Sequence, residues 1–216
     1  MTTDASPIAS RNASRLAALV LAAGAGSRFS DLPAGKLLAR LDSQPVLQHV
    51  LGAIRSFGPA ATVVVLGHGA DEIEAAIAWQ AEQRVRNLDP DQGIASSLQV
   101  GIRALSVLSL DLEGAFIVLG DQPRLVPATL HALEAAARAA PSGRAIVVPE
   151  YADDPGPGNP VLLRREGWGL VDAVQGDRGL APLIHAHPEL VLRVALPGTM
   201  PDVDRPEDLD RLIGSR

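Results

Sequence analysis

Cysteine is absent from the 216 residues, aromatic side chains make up only 3%, and no block of basic residues occurs. Without thiols there can be no disulfide, no thiolate metal site and no cysteine nucleophile. So few aromatics leave little on which nucleic-acid bases could stack. A net charge of −6 also opposes binding to a phosphate backbone. No apolar run approaches the roughly 18 residues that a membrane span requires. Neither nucleic acid nor membrane is therefore an expected partner. The five histidines include one close pair, His185 and His187, which has no carboxylate at zinc-site spacing. No G-x-S-x-G elbow is present for Ser–His–Asp hydrolysis.

What is present is apolar and regularly interrupted. Hydrophobic residues reach 47%, and the length suits one α/β domain with a sizeable core. Residues 1–14 are small and polar and read as a disordered tail, with a single domain over 15–216. Arg11 and Arg15 precede the apolar run Leu16 to Ala23, an arrangement shared with secretory leaders. The run is short, and cleavage behind it would destroy the Gly-rich loop that follows, so a cytoplasmic protein is expected. Leu16–Ala23, Ala61–Gly67, Ala115–Leu119 and Arg144–Pro149 read as buried strands, with Val161–Leu163 and Leu190–Leu196 further on. Pro45–Phe57, Ala70–Gln83, Ala95–Val107, Pro127–Ala139 and Glu207–Ile213 read as helices. Strand–helix alternation predicts a three-layer α/β/α sandwich around a mostly parallel, Rossmann-like sheet. Ligands of such sheets sit at the carboxyl ends of the strands.

Two segments carry chemistry. The first, Leu21-Ala22-Ala23-Gly24-Ala25-Gly26-Ser27-Arg28, follows the first strand, with Lys36 shortly after. Glycines let backbone N–H groups approach phosphate oxygens. Ser27 adds a donor, Arg28 a planar fork and Lys36 a compact charge. The glycine spacing matches neither a Rossmann fingerprint, where Phe29 occupies the third small position, nor a Walker A loop, where Leu37 follows the lysine. A plain Gly-rich turn with solvated charges is the alternative. The second segment, Phe116 to Pro123, sets Asp121 just past a buried strand, where a carboxylate can hold Mg2+ or can simply form a turn. Ser96 and Gln99 have capping-box spacing, so Ser96 is either a helix cap or a group at a nucleotide-facing helix start.

In this order the segments resemble the MobA-like nucleotidyltransferase superfamily, and within it the molybdenum cofactor cytidylyltransferase (MocA-like) branch. Leu21–Gly24 with Ser27, Arg28 and Lys36 is similar to its triphosphate loop. Asn87-Leu88-Asp89-Pro90 with Gly93 and Ser96-Ser97-Leu98 is similar to its second nucleotide-side segment. Gly120-Asp121-Gln122-Pro123 is similar to its metal motif. Gly158-Asn159-Pro160-Val161 and Gly176-Asp177-Arg178-Gly179 are similar to its acceptor-side segments, and Asp202 to Leu209 to its closing motif.

The resemblance implies a nucleotide-diphospho-sugar transferase type of fold and nucleotidyl transfer with loss of pyrophosphate. It assigns Leu21, Ala22, Ala23, Gly24, Gly26, Ser27, Arg28, Lys36, Ser96 and Ser97 to the nucleotide. It makes Arg28, Lys36 and Asp121 catalytic, and places Mg2+ on Asp121 and either Asp204 or Asp202, with Asp204 preferred. Gln122, Asn159 and Asp177 fall on the acceptor side, where Asp177 also suits a turn with Gly176. Ala23 favours CTP as co-substrate, because the branch associates that alanine with cytosine. The implied acceptor is molybdopterin, with transient contact to a molybdoenzyme or its chaperone. Another small phosphorylated acceptor, or a nucleotide-binding protein that delivers a cofactor without turnover, remains open. Two features depart from the family: Phe29 to Ala34 lengthens the loop before Lys36, and Asn159 stands where many relatives carry histidine.

Overall fold

The computed structural model describes residues 14–26, 29, 35–154 and 158–214. The tail expected over 1–14 lies outside them except for Ser14, as do Ser27 and Arg28. In chain order the elements are β1 (Leu16–Ala22), a 3-10 turn (Gly35–Leu37), β2 (Arg40–Leu41), β3 (Gln44–Pro45), α1 (Val46–Phe57), β4 (Ala61–Leu66), α2 (Ala70–Ala76) and β5 (Gln83–Arg86). There follow a 3-10 turn (Pro90–Gln92), α3 (Ile94–Ser106), β6 (Gly114–Leu119), α4 (Pro127–Ala139), β7 (Ile146–Tyr151) and β8 (Val161–Arg164). A 3-10 stretch (Arg165–Ala173), α5 (Ala181–Ala186), a 3-10 turn (Pro188–Leu190), β9 (Val191–Leu196) and α6 (Pro206–Gly214) complete the chain.

Seven strands form one sheet in the order β5-β4-β1-β6-β8-β7-β9. All are parallel except β8, which pairs antiparallel with both β6 and β7. The fold is thus the expected mostly parallel sheet covered on both faces. β1 is buried along its whole length because it is central and covered twice, which is why its sequence is continuously apolar rather than alternating. Ala18 and Val20 pack with Val50, Ile54 and Leu133 of α1 and α4. Ala17 and Leu19 pack on the other face with Leu98 and Ile102 of α3. Each fully buried large aliphatic side chain contributes about 1.5–3 kcal/mol. These contacts hold the strand ends, and hence the loops beyond them, in place.

The helix expected over Ala70–Gln83 stops at Ala76, and Gln83–Arg86 is instead the edge strand β5. Its four residues include one apolar side chain, Val85, so periodicity could not reveal it. Backbone pairing with β4 defines the strand instead. The β2–β3 hairpin, the 3-10 stretch and α5 also carry too short a pattern to be read. Among the described residues no helix is long and apolar enough to cross a membrane.

Candidate active site

A cavity of about 480 Å3 opens at the carboxyl ends of β4, β1 and β6. Leu21, Ala22, Ala23, Gly24 and Gly26 form the wall that continues β1; Lys36 and Asp121 close one end, and Ser97 and Asp177 lie across from them. The loop returns tightly: Gly26 and Gly35 both have positive φ, 57° and 55°, and a Cβ on Gly35 would meet the Gly26 Cα at 3.1 Å. Only glycine tolerates both the conformation and the approach. The extra residues before Lys36 do not keep it from the site, because the loop closes at this glycine pair. Phe29 is tucked into a small core with Leu41, Val46, Val203 and Leu212.

That small core also explains why residues far apart in sequence meet. Val203 is fully buried in it, and its N–H donates to the Asp121 carbonyl at 2.9 Å. Asp202 and Asp204 therefore flank Asp121. Lys36 Nζ donates to Asp204 Oδ1 at 2.8 Å and forms a second, closer ion pair with Asp121 Oδ2. Burial works against the Lys36 charge, but Asp121 and then Asp204 outweigh it and hold the ammonium above its usual range. Burial pushes the Asp121 carboxyl upward; Lys36 opposes this and Asp202 adds to it. Asp208 of α6 accepts the N–H groups of Asp204 and Arg205 at 2.9 and 2.8 Å, which ties the helix start to this segment.

The arrangement fits a divalent cation. Asp121 Oδ1 is buried and has no hydrogen-bond partner among the described residues. An unsatisfied oxygen of this kind costs about 1–3 kcal/mol. Hard carboxylate oxygens suit Mg2+ or Mn2+. Among the described residues no group of three or more His, Cys, Asp or Glu side chains makes a metal cage.

At the opposite wall the expected capping box is not formed. α3 begins at Ile94 with Gly93 as its cap, so Ser96 lies inside the first turn. The Ser96 hydroxyl donates to Gly93 O at 2.8 Å and accepts from Asn87 Nδ2 at 2.8 Å. Gln99 turns away to the carbonyls of Val171 and Val174. Ser97 is buried against Asn87 Nδ2 at 3.0 Å and lines the cavity, whereas Ser96 does not. The start came three residues earlier than the capping pattern implied because the positive φ of Gly93 allows the chain to turn there.

A second cavity, of about 200 Å3, adjoins the first over β6 and β8. Its floor is apolar, with Leu98, Ile117, Val161 and Ile184, and Asn159, Asp177 and Arg178 stand at its wall. Asp177 belongs to both cavities and packs over Gly93, where an added Cβ would meet its Oδ1 at 2.5 Å. Gln122 is buried and lines neither cavity, and Asp202 and Asp204 both lie outside the two, along a neighbouring depression. Sequence reading passed over His68 and Asp91, which line the first cavity. The available signal was position: Gly67-His68-Gly69 directly follows β4, another strand ending in the same crevice.

Comparison with known proteins identifies the family. Bifunctional protein GlmU of Bordetella parapertussis is 35% identical over 171 residues, covering 75% of this chain and 35% of that protein. The chain thus spans about a third of the length of such curated relatives. The crystal structure of Rv0371c from Mycobacterium tuberculosis H37Rv superposes with a TM-score of 0.79 at 32% identity, covering 94% of this chain and all of that one. A manganese complex of Rv0371c gives a TM-score of 0.76 at 31% identity, covering 93% and 99%. The family model for the MobA-like NTP transferase domain matches residues 18–191, and the chain belongs to that family.

Proposed function

We propose that the chain, as a single domain over 15–216, transfers CMP from CTP to molybdopterin with release of pyrophosphate in a Mg2+-dependent reaction. The observation that carries this reading is the buried Asp121 Oδ1 at the strand end, without a hydrogen-bond partner among the described residues, its other oxygen ion-paired to Lys36 beside a glycine-rich loop. In-line attack by an acceptor phosphate on the α-phosphorus needs no protein nucleophile, only positioning and charge neutralisation. Backbone N–H groups of Gly24 and Gly26, with Ser27 and Arg28, hold the β- and γ-phosphates. Lys36 turns from the carboxylates to the α-phosphate. Asp121 and Asp204 hold the metal, with Asp202 contributing negative charge nearby. When bound, Mg2+ supplies Lewis-acid stabilisation of the charge that develops on the phosphate oxygens. The manganese complex of Rv0371c supports a divalent cation here. Ala23 and the Ser97 wall bound the nucleotide, and Asn159 and Asp177 contact the acceptor. The cytoplasm is the expected compartment, with transient contact to a molybdoenzyme or its chaperone for delivery.

The small second cavity, about 200 Å3, favours a second reading in which another compact phosphorylated acceptor takes the nucleotide. Pyrophosphate release from each of the four NTPs, with Mg2+ and with or without molybdopterin, decides between them. Release from CTP only with molybdopterin supports the first reading, and release that needs a different acceptor supports the second. Tight nucleotide binding with no release under any condition would leave a non-catalytic delivery protein.

A further inference from the structure

The first cavity has two ends. Lys36 and Asp121 occupy the end over β1 and β6, where phosphate chemistry belongs. The other end lies over β4 and β5, and His68, Pro90 and Asp91 line it. Because the acceptor cavity opens on the β8 side, a nucleotide whose phosphates face Lys36 directs its base to this β4–β5 end.

The groups there are fixed relative to one another. The His68 N–H donates to the Ala23 carbonyl at 3.2 Å. A Cβ on Gly67 would meet Ala23 O at 2.7 Å and Pro90 Cβ at 3.0 Å, so the two loops and the end of β1 are in close contact. His68 Nε2 lies 2.9 Å from Asp91 Oδ1. A carboxylate only accepts, so Nε2 carries the hydrogen of this bond, and Asp91 keeps its other oxygen as an acceptor. The edge that Asp91 presents, held by His68, therefore offers carboxylate acceptors alone.

We propose that His68 and Asp91 together read the base, selecting a pyrimidine with an exocyclic amine over one with a keto oxygen at the same position. The inference deepens the CTP reading above and rests on it. The cytosine amine brings two N–H donors to this acceptor-only edge. Uracil brings a carbonyl oxygen, which finds no donor on Asp91 and meets carboxylate charge.

Calorimetric titration of CTP and of UTP, each with Mg2+ and no acceptor, tests this without knowledge of the acceptor. Asp91 is 90% exposed in its side chain, so its replacement leaves the fold intact. Asp91→Asn gives the carbonyl a donor, and the CTP:UTP affinity ratio should fall by about tenfold or more through a gain for UTP. Asp91→Ala should lower the same ratio through a loss for CTP. An unchanged ratio in both variants of a CTP-preferring protein overturns the inference and leaves the CTP reading standing. A wild-type protein that binds UTP as tightly as CTP overturns the CTP reading, and the inference with it.

Discussion

The two halves of the sheet face one crevice but reach it differently. On the β5-β4-β1-β6 side every strand is parallel and delivers its carboxyl end to the site: Ala23 after β1, His68 after β4, Asp91 after β5 and Asp121 after β6. On the β8-β7-β9 side the reversed strand β8 begins, rather than ends, at the crevice, so Asn159 stands before it and Asp177 comes from an irregular turn. Strand ends anchored in a close-packed core hold their next residue rigidly, whereas loops vary more easily. On the proposed reading, the rigid half holds the nucleotide, base and phosphates alike, and the irregular half meets the acceptor.

The largest effect expected is at the rigid end. Asp121→Asn should lower kcat by about a thousandfold with an unchanged far-ultraviolet circular dichroism spectrum. Near-normal turnover would remove Asp121 from the metal and leave it a turn residue. Lys36→Met should cost about a hundredfold in turnover. It should also tighten Mn2+ binding measured without nucleotide, since the ammonium no longer neutralises Asp121 and Asp204. Weaker Mn2+ binding would contradict that competition.

The rigidity of this half can be probed away from the chemistry. Glu82, buried just before β5, accepts from Arg55 Nε and from the Gln80 N–H, both at 2.6 Å. Burial opposes its charge, but these hydrogen bonds prevail and hold its carboxyl below the usual range. Glu82→Gln should cost about 2 kcal/mol near neutral pH, by urea denaturation, less than a fully buried pair because Arg55 is partly solvated. A depressed carboxyl stabilises the fold above its unfolded-state range, and this contribution is lost on acidification through the folded value. The difference between wild type and variant should therefore shrink as the solution is made acidic, and a constant difference would exclude the ionic origin. The smallest effect belongs to the other half. Asn159→Ala should raise the acceptor KM about tenfold while leaving NTP affinity unchanged. If NTP affinity fell equally, the division between the halves would be lost.

Much of the rigid half was legible because its signals are local. Leu16–Ala22 announces a doubly covered strand by having no polar position, and Phe116–Leu119 followed by Gly120-Asp121 announces a strand end carrying a carboxylate. β5 escaped notice because an edge strand takes its definition from a neighbour's backbone. Ser96 was misjudged because S-x-x-Q fits a cap only if the helix begins there, and Gly93 moved the beginning. His68 and Asp91 lie 23 positions apart and share no motif spacing.

By itself the sequence determined the alternation of the main buried strands and helices, the glycine-rich loop after the first strand and the carboxylate after Phe116–Leu119. Each depends on side chains within a few residues of one another, whose packing and backbone preferences act locally. Only the tertiary structure decided that Lys36 meets Asp204, 168 positions away, that Asp121 keeps one oxygen without a partner among the described residues, and that β8 runs against its neighbours. Those features arise where separate segments bury a common core, as Phe29, Val46 and Val203 do beside the site, and no local pattern encodes such a meeting.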